Sequence, residues 1–268
     1  MQERLKIAVI AAEVAGKLVL SMWSNELNGE FKIDNSPVTA ADKASERLIK
    51  QLILDKFPKD GFFGEETGRQ IGSSGYFWAC DPIDGTWSYL NHEDTCTVCL
   101  SLHKEEKTYL SVIYNPFTDV LYQGAIGISP TRNGELMPLV RKTKLEDGVV
   151  NFFISSNRVE DVARLYELRR RGTISKLVTQ GGSIAHSMAQ LACGINNAFV
   201  GIANKPSNIW DLAGGIFLIR EAGGMVTNLK GDAVDGVNAK EALIASSHPA
   251  IHQEILEALN EMEFGKER

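Results

Sequence analysis

The run Tyr76-Phe77-Trp78-Ala79-Cys80 is wholly aromatic and apolar, and it ends directly on Asp81-Pro82-Ile83-Asp84-Gly85-Thr86. A short apolar run bounded by turn residues reads as a buried strand. A buried strand that ends on two carboxylates constrains the fold more than any other feature of this chain. It places them at the strand's carboxyl end, where α/β proteins tend to put their chemistry. Pro82 fixes φ and is expected to stop the strand. Asp81 and Asp84 then curl round one point, with the Ile83 carbonyl freed to face it. Gly85 permits close backbone approach, and the amides of Gly85 and Thr86 are placed to cradle a phosphate.

Two carboxylates facing one point repel each other unless a cation lies between them. With oxygen donors and no His or Cys nearby, the donor set is hard and suits Mg²⁺, with Mn²⁺ as a substitute. Asp-Pro and Asp-Gly are also ordinary turn chemistry, so this segment alone leaves both readings open. Two further acidic points bear on the choice. Glu65-Glu66 follows a short strand, Phe62-Phe63, on a loop bracketed by Gly64 and Gly68. Asp211 opens a helix whose next turns, Leu212 to Ile219, are almost entirely apolar. Taken singly, the first reads as a solvated pair and the second as a carboxylate satisfying a helix dipole.

The remaining pattern alternates helix and strand. Leu5, Val9, Ala12, Ala15 and Val19 recur at helical spacing, predicting an amphipathic first helix despite Gly16. Asn28 to Pro37 reads as a polar loop. Thr39 starts a second helix running to about Phe57, with Asp42 completing a capping-box pattern. Thr95 to Ile126 reads as an antiparallel meander and Gly127 to Gly134 as a loop. The charged stretch Arg141 to Asp147 is the candidate junction between subdomains of about residues 1–145 and 146–268 in a single domain. Beyond it, strands at Val149–Ser155, Ile174–Val178, Ala198–Ile202, Met225–Thr227 and Ala242–Ser246 interleave with helices at Val159–Arg171, Ser183–Cys193, Trp210–Ala222 and His248–Met262. Such interleaving argues for stacked α and β layers.

Composition excludes several classes. The net charge is −6 and the longest basic run is Arg169-Arg170-Arg171, so no nucleic-acid footprint is expected. Glu13 and Lys17 interrupt the apolar N-terminus, which predicts neither a signal peptide nor a membrane span. Four cysteines in 268 residues make no disulfide framework. Cys96 and Cys99, three apart on a predicted strand, face opposite ways and lack the second pair a zinc site needs. The expectation is a cytoplasmic protein with no membrane or nucleic-acid partner.

The three acidic motifs carry a specific resemblance. Gly64-Glu65-Glu66, Asp81-Pro82-Ile83-Asp84-Gly85-Thr86 and Trp210-Asp211-Leu212-Ala213-Gly214, with Glu221-Ala222-Gly223-Gly224 downstream, stand in the order and spacing of the inositol monophosphatase family. Ser36-Pro37-Val38-Thr39-Ala40-Ala41-Asp42 and Gly182-Ser183 are similar as well. The chain resembles that family from its first helix to its last. The resemblance implies a layered α-β-α-β-α sandwich of the sugar-phosphatase type (α/β, or α+β), two or three Mg²⁺ per site, a homodimer and inhibition by Li⁺. It implies that Glu65, Asp81 and the Ile83 carbonyl hold one metal, that Asp81, Asp84 and Asp211 hold a second, and that Asp42 reaches a further ion through water. Glu65, Thr86 and Asp84 would be the catalytic group, Thr86 and Glu65 orienting the attacking water. Gly85, Thr86 and Ser183 would contact the substrate.

The substrate side departs from the family pattern. Inositol-specific members carry a Glu several residues before the Trp-Asp pair, whereas Val200 to Asn208 here contains no acid. Asn204 and Lys205 are the candidate substrate contacts in its place. Trp87-Ser88-Tyr89 replaces a more usual polar-then-Phe sequence. The expected substrate is a small phosphorylated metabolite, an inositol or sugar monophosphate. A 3′(2′),5′-bisphosphate nucleotide or histidinol phosphate is the alternative on the same site, and a regulatory binding protein on this fold is the alternative of another class.

Overall fold

Successive residues of a strand point to opposite faces, so a strand that feeds two different cores reveals the layers around it. The computed structural model describes residues 1–23, 28–33, 35–137, 142–154, 159–179, 181–202, 208–234 and 243–262. In strand β6 (Thr97–Lys104), Val98, Leu100 and Leu102 pack with helices α1 (Gln2–Ser21) and α2 (Ala40–Lys56). Cys99, between them, faces a different cluster, built on α5 (Ile184–Ala192) and α6 (Ile209–Glu221). In strand β13 (Ala198–Ile202), Phe199 joins that same cluster, while Ala198, Val200 and Ile202 face α4 (Val159–Arg170) and α7 (Pro249–Glu261). The order is helices, sheet, helices, sheet, helices. This is the α-β-α-β-α sandwich that the motifs implied.

The larger sheet runs β10-β9-β8-β7-β6-β5-β3-β4. Its strands are β3 (Gly61–Gly64), β4 (Gly68–Gln70), β5 (Tyr76–Asp84), β7 (Lys107–Asn115), β8 (Val120–Ala125), β9 (Ile128–Arg132) and β10 (Glu135–Leu136), with β6. The expected meander is present and extends further than the sequence suggested. Gly127 to Gly134, read as a loop, contains β9, which pairs antiparallel with β8. Its flanking glycines, at φ +77° and +82°, form the turns, and the polar Ser-Pro-Thr-Arg composition hides the strand. Among the described residues, only β3 and β5 run parallel in this sheet.

The smaller sheet runs β12-β11-β13-β15-β14, from β11 (Val149–Ile154), β12 (Lys176–Val178), β14 (Met225–Thr227) and β15 (Leu243–Ser246). β11 is parallel to both its neighbours and β15 is antiparallel to both of its own. The segment Asn28 to Pro37, also read as loop, includes β1 (Gly29–Phe31), which pairs with β2 (Pro37–Thr39). A short helix, α3 (Thr86–Leu90), follows β5.

Helix α1 buries Leu5, Ala8, Ala11, Ala12, Ala15, Gly16 and Val19. Gly16 costs helix propensity, yet a Cβ there would come within 2.6 Å of the Tyr114 ring. Close approach to the sheet decides the residue. Helix α2 is capped as expected, with the Thr39 amide donating to Asp42 Oδ2 at 2.8 Å. No described helix is long and apolar enough to cross a membrane.

Candidate active site

Asp81 and Asp84 are three apart, a spacing that puts side chains on opposite faces of a regular strand. Pro82 was expected to end β5, but pairing resumes beyond it. Asp81 lies opposite Cys99 and Asp84 opposite Thr97, with a register shift between. Three steps along β5 thus match two along β6, the definition of a bulge, and a proline without an N–H is tolerated there. The extra residue turns Asp81 and Asp84 to the same side. Cys99 identifies that side as the α5–α6 layer.

Both helices of that layer present their N-termini to the bulge. Asp84 Oδ2 accepts from Ser183 Oγ at 2.6 Å and from the Ala185 amide at 2.8 Å. Ser183 is the N-cap of α5, its Oγ also accepting the His186 amide at 2.8 Å. Asp211 lies in the first turn of α6, where its Oδ2 accepts the Asn208 amide at 3.3 Å. Gly85 sits at φ +98°, and a Cβ on it would come within 3.1 Å of Ser183 N. Glycine is required for the β5 and α5 loops to meet. The outcome is that carboxylate oxygens of Asp81, Asp84 and Asp211 all lie within 4.8 Å of one another.

This cluster is electrostatically uncomfortable. Asp81 and Asp84 are buried, at 3% and 7% exposure. Burial, followed by the charges of Glu65, Asp84 and Asp211, pushes Asp81 well above the usual carboxylate range. Burial first, then Asp84 and Glu65, does the same to Asp211. Asp84 is pushed up to about 6 by burial, even though Ser183 and Ala185 hydrogen bonds work against the shift. Among the described residues, none of the three has a Lys or Arg within ion-pair distance. An all-oxygen donor set, mutually repelling and enclosed, fits a hard divalent cation.

The other expected site residues surround the cluster without joining it. Glu65 Oε1 is paired with Lys32 Nζ at 2.7 Å, and the same ammonium binds Glu66 Oε1 at 2.5 Å. Asp42, also buried, accepts Thr39 Oγ1 at 2.5 Å. Its second oxygen lies 3.2 Å from Thr86 Oγ1, which is 3.2 Å from the Ile83 carbonyl as well. Thr86 therefore links Asp42 to the bulge. Ser183, expected at the substrate, has its hydroxyl on Asp84. Asn204 and Lys205 lie outside the described residues. Lys32 and Glu46 were missed. Lys32 sits in what read as a polar loop, and Glu46, four residues after Asp42, looks like any helix glutamate until its burial is seen.

The profile of the inositol monophosphatase family matches residues 1–263. The chain belongs to the inositol monophosphatase family. It is 29% identical over 272 residues to inositol monophosphatase 2 of Solanum lycopersicum, covering 98% of this chain and 100% of the relative. It is 31% identical over 230 residues to the fructose-1,6-bisphosphatase/inositol-1-monophosphatase of Aquifex aeolicus, covering 85% and 86%. The extragenic suppressor protein suhB of Bartonella henselae has the same fold, with a TM-score of 0.86, 26% identity and coverage of 97% and 98%. Inositol monophosphatase family members are metal-dependent phosphoric monoester hydrolases, and the Asp81–Asp84–Asp211 cluster of this member could bind metal.

Proposed function

We propose that the protein is a Mg²⁺-dependent phosphomonoesterase acting on an inositol or sugar monophosphate. The observation that carries this reading is the convergence of Asp81, Asp84 and Asp211 within 4.8 Å, with no ion-pair partner among the described residues. These three, with Glu65, the Ile83 carbonyl and Asp42, would hold two or three ions, and Mn²⁺ would substitute. Bound there, a divalent cation supplies positive charge for the phosphoryl oxygens and lowers the pKa of water. Thr86, whose hydroxyl lies 3.2 Å from Asp42, would orient the attacking water together with Glu65. The amides of Gly85 and Thr86 hold the phosphate, Ser183 keeps Asp84 aimed at the site, and Asn204 and Lys205 contact the leaving group. Positioning and charge stabilisation of this kind supply most of phosphoryl-transfer catalysis.

The same reading extends to inhibition by Li⁺, whose small hard ion competes for carboxylate oxygens. It extends to a homodimer, supported by the exposed Val159 and Tyr166 of α4, and to two subdomains, about 1–145 and 146–268, built round the larger and the smaller sheet respectively. A cytoplasmic location is supported by four free cysteines.

Phosphate release decides the matter. Inositol 1-phosphate, fructose 1,6-bisphosphate, 3′-phosphoadenosine 5′-phosphate and histidinol phosphate would each be assayed with Mg²⁺ and with chelator. Mg²⁺-dependent release, fastest from inositol 1-phosphate or the sugar phosphate, is expected. Preference for the nucleotide or for histidinol phosphate would overturn the substrate, and release that ignores chelator would overturn the metal.

A further inference from the structure

We propose that Glu46 is a positioning residue that aims Glu65 at the acidic cluster, an inference that rests on the metal-site reading above. Glu46 follows Asp42 by four residues on α2, so both project from one helix face. It is completely buried, and among the described residues it has no ion-pair partner. Its carboxylate instead grips backbone. Oε2 accepts the Glu66 amide at 2.8 Å and Oε1 accepts the Thr67 amide at 2.6 Å. The Glu65 amide itself donates to the Cys80 carbonyl at 3.1 Å. Three successive amides of the β3–β4 turn are thereby tied to the residue before Asp81 and to the helix that carries Asp42.

Gly64 belongs to the same device. A Cβ at position 64 would collide with the Glu46 carboxylate, so glycine is needed here for space and not for an unusual φ. A buried anion without a cation is a costly way to satisfy two amides. What it offers over a neutral acceptor is strength, since hydrogen bonds to an ionised carboxylate are about twice as strong as neutral ones. The tight grip fixes the Cα of Glu65 against the end of β5. Glu65 pairs with Lys32 at 2.7 Å, so reaching a bound cation requires its side chain to leave that ammonium while its Cα stays fixed.

The test uses the full chain, with Mn²⁺ alone as the binding probe. Wild type, Glu46→Gln and Gly64→Ala would be titrated with Mn²⁺ by calorimetry, and the KM for inositol 1-phosphate measured at saturating Mg²⁺. Groups that orient metal ligands are typically worth about 10- to 100-fold in metal affinity. Glu46→Gln is expected to weaken Mn²⁺ binding by about tenfold, with KM within about twofold of wild type. Gly64→Ala, which pushes on the same carboxylate, should weaken it in the same direction. Folded Glu46→Gln that binds Mn²⁺ as wild type does, even with a lower Tm, would overturn the proposal. If Glu46→Gln does not fold, unchanged Mn²⁺ binding by Gly64→Ala overturns it. Wild type that binds no Mn²⁺ would bring down the metal-site reading first, and this inference with it.

Discussion

Buried carboxylates lie near both ends of β5, and the two ends treat them in opposite ways. Near the start, Asp60 is 2% exposed and fully answered. Arg4 Nη2 reaches its Oδ1 at 2.9 Å and Oδ2 at 3.0 Å, Ser74 Oγ donates at 2.6 Å and Trp78 Nε1 at 3.1 Å. Arg4 is itself held between the Phe57 and Tyr76 rings, at 4.6 and 4.7 Å. At the far end, Asp81 meets chiefly other carboxylates. Equal burial therefore says nothing about role. A buried anion supplied with its own cation and donors is a structural joint, whereas a buried group of carboxylates without one is suited to a cation from outside the chain.

The contrast can be broken by exchanging what each end loses. Asp81→Asn is expected to lower turnover by about 10²–10³-fold, the range for removing one fixed electrostatic stabiliser. It removes a repelling charge, so its Tm in chelator should equal or exceed that of wild type. Near wild-type turnover would remove Asp81 from the site. Arg4→Met should do the reverse. It strands Asp60 and is expected to cost about 3 kcal/mol in denaturant unfolding, while kcat changes by less than about threefold. A large fall in kcat with unchanged stability would show that the two ends are not separate systems.

Protons sharpen the comparison further. The folded, metal-free protein holds Asp84 at about 6, above its unfolded value, so the folded state binds more protons between the two. Stability from this group is present at low pH and lost as pH rises through about 6. A cation displaces that proton along with those of Asp81 and Asp211, so the Mg²⁺-induced rise in Tm should shrink as pH falls through about 6. Melting curves with Mg²⁺ and with chelator, from about pH 5 to about pH 8, measure this. A constant Mg²⁺ increment across that range would mean that Asp84 faces no bound ion.

The sequence was informative where an element declares itself locally. The layers were legible because apolar residues recur at helical or strand spacing, as Leu5, Ala12, Ala15 and Val19 do on α1. The acidic motifs were legible because Asp81 ends an apolar run and Asp211 opens one. Features set by a partner element were hidden. Strand β9 is held by pairing with β8, against its own composition. The bulge at Pro82 exists only relative to β6. Lys32 and Glu46 acquire their roles from a turn 20 to 34 residues away, at Glu65 to Thr67, and nothing in their immediate neighbours announces it.

The bulge also separates two quantities that are usually linked. Because β6 dictates the facing of Asp81 and Asp84, a strand with one residue fewer between them would still present both carboxylates to α5 and α6. The surplus residue brings an uncharged acceptor, the Ile83 carbonyl, which only the Thr86 hydroxyl engages among the described contacts. An irregular sheet can in this way enlarge its supply of oxygen without adding negative charge, and the number of ligands is tuned independently of how strongly they repel.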